Sequence, residues 1–232
     1  MKWEHILGIA LKVLEKQKEY VPFTEWTWGG GSALAYRYGH RDSEDIDIFF
    51  WNAQLLTFFS PRVNEDLEEI AVKYNEMSHF IKVWIRENAQ IDFILAPSLT
   101  DKPFTTEEVK GYRVQVETPW EIVTKKLLYR SSDLKVRDVI DVVAVLRHEE
   151  DRKMLLKSSE IFMPKLKEIK KRMSLLEKEW DRAMKSLIVY DESLESPSII
   201  EELEDFLSFV SAKEPAPDLD LSDPEIEELP EP

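Results

Sequence analysis

The most informative segment of the sequence runs from Trp28 to Asp47 and reads WGGGSALAYRYGHRDSEDID. The chain of 232 residues has only six glycines, and three of them are consecutive here. Glycines let the backbone take a positive φ and turn its N–H groups toward a ligand. Because they lie between a predicted strand at 25–28 and a predicted helix at 33–38, they indicate an anion site at a helix N-terminus. We expect Ser32 to cap this helix and to add a hydroxyl group at the mouth of the site.

Two carboxylates follow on a predicted half-buried strand at 45–51. Asp45 and Asp47 alternate with Ile46 and Ile48, so the two carboxylates share one face. At an effective dielectric near 20, like charges about 4 Å apart repel each other by roughly 4 kcal/mol. Oxygen ligands of this kind are the ones that Mg²⁺ selects, so a bound divalent ion would replace the repulsion with attraction. A D-x-D sequence alone is usually solvated surface, which stays the alternative.

A third carboxylate lies on a predicted hairpin, whose strands are expected at 79–86 and 90–96. Ile91 and Phe93 share one face of the second strand, which places Asp92 on the other. Three carboxylates around two metal ions are the arrangement that catalyses in-line displacement at phosphorus. The full order of strand, glycines, Ser, helix, D-x-D strand and later Asp is far more specific than any of its parts.

The remaining pattern predicts an α+β fold, with a mixed sheet first and helices after it. Thr118, Pro119 and Glu121 match a capping box, which begins a helical region that continues to about residue 209. Earlier in the chain we expect helices at 3–19 and 61–74, and an edge strand at 112–116. The predicted units are an α/β domain, a helical domain and a disordered acidic tail, at 1–117, 118–210 and 211–232.

Composition restricts the class of protein. The chain has no cysteine, which excludes disulfides and thiolate sites and fits a reducing cytoplasm. Lys12 interrupts the apolar run near the N-terminus, so we expect an amphipathic helix there and not a signal peptide. No other segment approaches the roughly 18 apolar residues that a membrane span needs, so we expect no membrane partner.

Charge is segregated along the chain. Residues 191–232 hold 15 acidic residues and one basic residue, a net charge of −14 out of the total of −15. Residues 151–190 hold 11 basic and 6 acidic residues, a net charge of +5. The basic stretch is compatible with RNA phosphates, although the same lysines suit a solvated helix. The acidic tail either regulates the basic stretch or only keeps the chain soluble.

The opening motif resembles a known family. The stretch GGGSALAYRYGHRDSEDIDIFF is similar to the first motif of the AbiEii/AbiGii-type nucleotidyltransferases, in the polymerase-beta-like superfamily. The matching elements are Gly30-Gly31-Ser32 and the Asp45-x-Asp47 pair, at the family's separation. This family usually has a charged or polar residue directly before its later Asp, whereas Ile91 precedes Asp92 here.

A second stretch, KKLLYRSSDLKVRDVID, resembles the family's later helical motifs. The matching residues are a Lys, a following basic residue and an Arg-Asp-x-x-Asp run, namely Lys126 (with Lys125 as the alternative), Arg130, Arg137, Asp138 and Asp141. The resemblance covers roughly residues 25–145. From the residues alone, Lys125, Lys126 and Arg130 would share one helical face, and that face would neutralise a triphosphate.

The resemblance implies an enzyme, a nucleotidyltransferase that uses Mg²⁺ or Mn²⁺ and an NTP. It also implies the toxin of a bacterial toxin–antitoxin or abortive-infection system, with a cognate antitoxin and with RNA such as a tRNA 3′ end as acceptor. A protein hydroxyl group as acceptor stays open. The alternative of a different class is a catalytically inactive module that uses the same fold to bind a partner protein.

The predicted site therefore has three sets of residues. The catalytic residues are Asp45, Asp47, Asp92, Lys126 and Asp141, and the first three of them are also the metal ligands. The nucleotide-binding residues are Gly30, Gly31, Ser32, Arg41, Lys125, Arg130 and Arg137. Simpler interpretations exist for some of them, because Arg137 and Asp141 could pair along a helix, Asp138 and Asp141 could be solvated, and Arg41 could be exposed.

Overall fold

The structure is a computed structural model that describes residues 2–85 and 89–212 as an α+β protein. The described part of the first half contains both α-helices and strands, and it ends with five consecutive strands. Its elements are α1 Lys2–Lys16, β1 Trp26–Gly29, α2 Gly30–Tyr38, β2 Ile46–Phe50, α3 Ala53–Leu56, α4 Glu65–Ile70, β3 Ala71–Met77, β4 Phe80–Ile85, β5 Gln90–Leu95, β6 Phe104–Val109 and β7 Tyr112–Glu117. The described part of the second half is helical: α5 Pro119–Tyr129, α6 Val136–Leu146, α7 Glu149–Lys157, α8 Ser159–Phe162, α9 Leu166–Met184 and α10 Ile199–Ser211.

The strands form one mixed sheet in the order β3-β4-β5-β2-β1-β7-β6. At its centre, β2 pairs antiparallel with β1 and parallel with β5. This register places Asp47 beside Gly29 on one side and beside Asp92 on the other. The α+β class is confirmed, and so is the antiparallel pairing of β4 with β5. The turn between those two strands is predicted at 87–89, and its residues 87 and 88 lie outside the described part.

The core is continuous between the sheet and the helices. Trp28 and Phe93 from the sheet belong to the same buried cluster as Ile140 and Trp180 from the helical half, and none of the four is more than 2% exposed. Burial of apolar surface contributes about 25 cal/mol per Å², so this shared cluster fixes the helices against the sheet. The division of the chain into domains at 117/118 stays a prediction. Of the predicted acidic tail, residues 213–232 lie outside the described part.

The helix predicted at 61–74 is wrong over most of its length. Only Glu65–Ile70 is helical, with Asn64 as its N-cap, and the chain then enters β3. Val72 and Tyr74 favour a strand because a branched or aromatic side chain fits a pleated surface better than a helical turn. The neighbouring apolar residues have helical spacing, so the sequence pattern did not indicate the change from helix to strand at Ala71.

Two further expectations are also wrong. The strand at 112–116 is interior, since β6 pairs with its outer side and forms the sheet edge. Thr118 occupies the N-cap position of α5 without a side-chain capping bond. Its hydroxyl group donates to Pro103 O at 3.2 Å, while the carboxylate of Glu121 accepts hydrogen bonds from the loop at 99–100. Tertiary partners therefore outcompete the local capping box.

Candidate active site

Three carboxylates meet in a cavity that residues of α5 and α6 also line. Asp47 on β2 and Asp92 on β5 are direct neighbours in the parallel pairing, and Asp45 immediately precedes β2. All three line a cavity of about 610 Å³. Lys82 on β4 lies opposite Asp92, and its Nζ is 3.1 Å from Asp92 Oδ2. The structure thus brings together the three predicted metal ligands.

The carboxylates disfavour one another in their charged forms. Burial, with the charge of Asp47 next, raises the pKa of Asp92 to about 7, although Lys82 opposes the shift. Burial and Asp47 likewise raise the pKa of Asp45, against the opposing charge of Arg137. Asp92 Oδ1 is buried and has no hydrogen-bond partner among the described residues. A cation that bound here would satisfy this oxygen and reverse the repulsion.

The donor chemistry at this place fits a hard divalent cation. All of the candidate ligand atoms are carboxylate oxygens, which Mg²⁺ and Mn²⁺ prefer, and one of them has an unused lone pair in a buried position. Within residues 2–85 and 89–212, however, no three His, Asp or Glu side chains are already arranged around a single metal position. The fit is therefore one of chemistry and position.

The glycine turn at the end of β1 explains the concentration of glycine in this stretch. Gly29 is the N-cap of α2, and Gly30, the first helical residue, has a φ of +68°. A Cβ on Gly30 would lie 1.8 Å from Asp47 Oδ2, and a Cβ on Gly31 would lie 2.5 Å from Arg41 Nη2. Glycine is needed at position 30 because other residues rarely adopt a positive φ. It is needed at both positions because charged side chains of the site lie close to the backbone there.

Ser32 does not cap α2, and its side chain does not line the cavity. It is the third residue of the helix, it is fully buried, and its hydroxyl accepts a hydrogen bond from Trp28 Nε1 at 3.1 Å. The expectation that Ser32 is the N-cap is wrong because the helix begins two residues earlier, at Gly30. The contact between Ser32 and a nucleotide stays a prediction. Since the hydroxyl group is buried against Trp28, that contact would have to come from the backbone N–H of Ser32.

A pair of glycine substitutions separates backbone strain from damage to the site. Gly30→Ala should lower the free energy of unfolding by more than the roughly 1–2 kcal/mol of a positive φ, because its Cβ also displaces Asp47. Gly39→Ala is the control, since Gly39 has a φ of +59° and nothing within 4 Å of its added Cβ. Urea denaturation measures both proteins, and equal losses would show that Asp47 is not held against Gly30.

The helices contribute a buried ionic network on the other side of the cavity. Lys126 Nζ lies 2.6 Å from Asp138 Oδ1 and 3.1 Å from Asp141 Oδ2. The guanidinium of Arg41 donates two hydrogen bonds to Asp141, at 2.7 and 2.8 Å. His40 Nε2 lies 2.7 Å from the same carboxylate. Asp141 is thus shared by three cationic or polar side chains from two distant parts of the chain.

This network overturns the simpler interpretations of the helical charges. Asp138 and Asp141 are fully buried and not solvated, and Arg41 is 4% exposed. The carboxylate of Asp141 pairs with Arg41 and Lys126, so the alternative in which it pairs with Arg137 is wrong. Arg137 lines the cavity instead, where its charge opposes the rise in the pKa of Asp45.

Arg130 connects the two sides of the cavity. Its Nη1 lies 3.3 Å from Asp138 Oδ1. Burial lowers the pKa of Arg130, but the charges of Asp138 and then Asp47 outweigh burial and raise it. The guanidinium is therefore within electrostatic reach of the D-x-D pair, as the predicted role at a polyphosphate requires.

Lys125 is placed differently from Lys126. Its Nζ lies 2.6 Å from Glu117 Oε1 and 3.3 Å from Glu121 Oε1, and 4.3 Å from the centroid of the Phe49 ring. Lys125 lines the cavity, but two glutamates already share its charge. Of the two lysines that the sequence offered for the family motif, Lys126 is the one that faces the aspartates of α6.

A family comparison agrees with this geometry. The sequence model described as nucleotidyl transferase AbiEii toxin, Type IV toxin–antitoxin system, matches residues 19–230. The chain belongs to this AbiEii family. The family is one of nucleotidyltransferase toxins, so nucleotidyl transfer is the activity that membership and fold support.

Two solved structures show how far the likeness of this AbiEii protein extends. A nucleotidyltransferase from H. pylori matches with a TM-score of 0.51 and 14% identity, over 89% of this chain and 93% of that one. MenT4, a nucleotidyltransferase toxin from Mycobacterium tuberculosis H37Rv, matches with a TM-score of 0.43 and 13% identity, over 90% and 94%. At these identities the first likeness shows a shared fold. No curated protein sequence matches.

Sequence reasoning missed three residues of the AbiEii protein's site. Lys82 could have been predicted from strand alternation. It is the cross-strand neighbour of Asp92, so its side chain points to the same face of the sheet. Glu117, at the end of β7, was hidden by the assignment of that strand to the sheet edge. His40 gave no sequence signal, since its contact with Asp141 spans 101 positions.

Within residues 2–85 and 89–212, the structure contains no helix that is long and apolar enough to cross a bilayer.

Proposed function

We propose that this protein transfers a nucleotide from an NTP to a hydroxyl group of RNA, such as a tRNA 3′ end. One observation carries the proposal: Asp45, Asp47 and Asp92 from the sheet region line the same cavity as Lys126 and Arg130 of the helical half. Carboxylates and cations in one cavity suit a substrate with an anionic polyphosphate and a bound cation.

The site's residues have distinct roles in this proposal. Asp45, Asp47 and Asp92 would hold Mg²⁺ or Mn²⁺, which would supply charge neutralisation at the α-phosphate and the leaving group. The backbone N–H groups of the glycine turn, at Gly30 and Gly31, bind phosphate oxygens at the N-terminus of α2. Lys126, Arg130 and Arg137 balance the remaining negative charge of the triphosphate, and Arg41 and Asp141 hold Lys126 in place.

The proposed reaction is a displacement at the α-phosphorus. The acceptor's hydroxyl oxygen forms a bond to that phosphorus, the bond to the bridging α–β oxygen breaks, and pyrophosphate leaves. Asp92 acts either as the general base that takes the hydroxyl proton or as the third metal ligand. Without metal its pKa of about 7 suits proton exchange near neutral pH. The role of metal ligand needs the charged form, which a bound cation would favour.

RNA is the acceptor that the surface favours. Tyr129 lines the cavity together with Arg130 and Lys135, and it is 56% exposed. An exposed aromatic side chain among cations suits an unpaired base, which can stack while the cations bind the backbone. Further exposed lysines lie on α9, namely Lys167, Lys170, Lys171 and Lys178. We also propose that the protein has a cognate antitoxin and that it acts in the cytoplasm, where tRNA is present.

The test offers each of the four NTPs, labelled at the α-phosphate, together with Mg²⁺ and either total cellular RNA or total protein. We expect label in RNA with the wild-type chain and none with Asp47→Asn. Label in protein would retain nucleotidyl transfer and replace the acceptor. No label in either fraction would favour a module that binds a partner without catalysis.

A further inference from the structure

Glu117 has no part in the proposed reaction, although it lines the cavity. It ends β7, and its side chain is 1% exposed. All of its hydrogen bonds go to one oxygen, since Oε1 accepts from Thr27 Oγ1 at 2.9 Å and from Lys125 Nζ at 2.6 Å. Oε2 is buried and has no hydrogen-bond partner among the described residues. A buried polar atom without a partner is costly, so this arrangement requires a reason.

The unused oxygen faces the glycine turn. A Cβ on Gly29 would lie 2.1 Å from Glu117 Oε2, closer than it would lie to any other atom. Gly29 is the N-cap of α2, and the next two glycines line the same cavity. An ionised carboxylate here would repel any phosphate held at this helix N-terminus, whereas a protonated carboxyl group would donate a hydrogen bond to it.

The donors around Glu117 and Glu121 are unequally distributed. Lys125 Nζ lies between the two carboxyl groups, 2.6 Å from Glu117 Oε1 and 3.3 Å from Glu121 Oε1. Glu121 also accepts from Leu99 N, Thr100 N and Thr100 Oγ1, at 3.0, 2.9 and 2.7 Å. Both oxygens of Glu121 therefore have donors, whereas Glu117 Oε2 has none among the described residues. A proton on that oxygen would make it a donor beside the glycine turn.

We propose that Glu117 is a phosphate-binding residue that acts as a neutral acid, with its Oε2–H donating to a phosphate oxygen of the bound NTP. This inference rests on the proposed function, because it needs a polyphosphate at the glycine turn. It adds a proton-dependent contact to that site, on a residue outside the family motifs identified above.

Binding through a neutral acid depends on pH. Burial raises the pKa of Glu117, Lys125 opposes that shift, and Glu121 adds to it. The charged groups placed at Glu117 are Lys125 and Glu121 on α5 and Arg37 on α2, which donates to its backbone carbonyl. Asp47 on β2 lies against Gly30 of the same glycine turn. A raised pKa means that the donor is present at low pH and is lost as the pH rises through the pKa.

The experiment measures the affinity of the full chain for inorganic triphosphate with Mg²⁺, at pH 6.0 and pH 8.5, by calorimetry. The variants are Glu117→Gln, which keeps a donor without a charge, and Glu117→Met, which has a similar length and no donor. Glu108→Gln, on the exposed surface of β6, is the control for the loss of one negative charge. Melting temperatures show that each variant is folded.

At pH 6.0 we expect wild type and Glu117→Gln to bind alike and Glu117→Met to bind about tenfold more weakly, as for one hydrogen bond to a charged group. At pH 8.5 Glu117→Gln should bind at least as tightly as wild type. Tighter binding by Glu117→Gln at pH 6.0 would mean an ionised Glu117 and would overturn the inference. So would equal binding by Glu117→Met, and if that variant does not fold, the Gln variant alone decides.

Two further results separate this inference from the proposed function. If the wild-type chain binds neither triphosphate nor NTP, the proposed function fails with it. If the variants differ from wild type for NTP and not for inorganic triphosphate, Glu117 contacts the sugar or base, and only the phosphate contact inferred here is overturned.

Discussion

Asp47→Asn should lose nucleotide transfer by roughly a thousandfold or more while its fold stays intact. Removal of an outer-shell partner of a metal ligand typically costs 10- to 100-fold, and loss of a direct ligand costs more. Asp47 also faces both Asp92 and Gly30, so the substitution removes a charge from the centre of the site. Because it relieves like-charge repulsion, it should not lower the melting temperature without metal.

The measurement is a rate of label transfer from the NTP, with circular dichroism to follow the fold. Asp45→Asn should behave in the same way. Asp205→Asn is a matched control, since Asp205 is exposed on α10, away from the cavity, and should transfer at the wild-type rate. A transfer rate for Asp47→Asn within tenfold of wild type would contradict the assignment of the metal ligands.

Asp141→Ala should lower the free energy of unfolding by about 3–5 kcal/mol, as when one partner of a buried ion pair is removed. Asp141 is fully buried, and the change leaves Arg41 and Lys126 with uncompensated charge. Urea denaturation measures the loss. Glu150→Ala is the control, because Glu150 pairs with Lys153 on the surface and should leave the midpoint unchanged. Equal losses of unfolding free energy for the two variants would show that the buried network does not stabilise the fold.

The same network predicts how stability changes in acid. Burial would raise the pKa of Asp141, but Arg41 and Lys126 outweigh it and hold that pKa well below the usual range. A lowered pKa contributes stability that is complete above the unfolded value near 3.9 and is lost as the pH falls toward the folded value. Wild type should therefore lose stability below about pH 4 more steeply than Asp141→Asn does, in urea titrations at successive pH values.

The central part of the site follows from the sequence because local rules determine it. Strand alternation places Asp45, Asp47 and Asp92 on one face, and the glycines require a turn before α2. The helical motif gives Lys126 and Asp138, which lie 12 positions apart and do pair. Each of these features is encoded within a short segment, so periodicity and spacing suffice.

The remaining features depend on contacts between distant segments. Arg41 was predicted to bind nucleotide, with an exposed loop position as the simpler alternative, and only its pairing with Asp141, 100 positions away, makes it a buried residue. Glu121 has the spacing of a capping box, but the loop at 99–100 provides its donors. The sheet position of β7 depends on β6, whose polar sequence FTTEEV gives a weak strand signal. A sequence pattern shows which nearby residues could interact, but it does not show whether a distant segment provides a better partner.

We infer that the carboxylates and the glycine turn form one site for a metal–NTP complex. An equilibrium titration of wild type and Asp47→Asn with a labelled NTP, at zero and at saturating Mg²⁺, tests this inference. Wild type should bind the NTP tightly only with Mg²⁺, and Asp47→Asn should gain no affinity from the metal. Equal NTP affinity for the two proteins, with and without Mg²⁺, would contradict the inference.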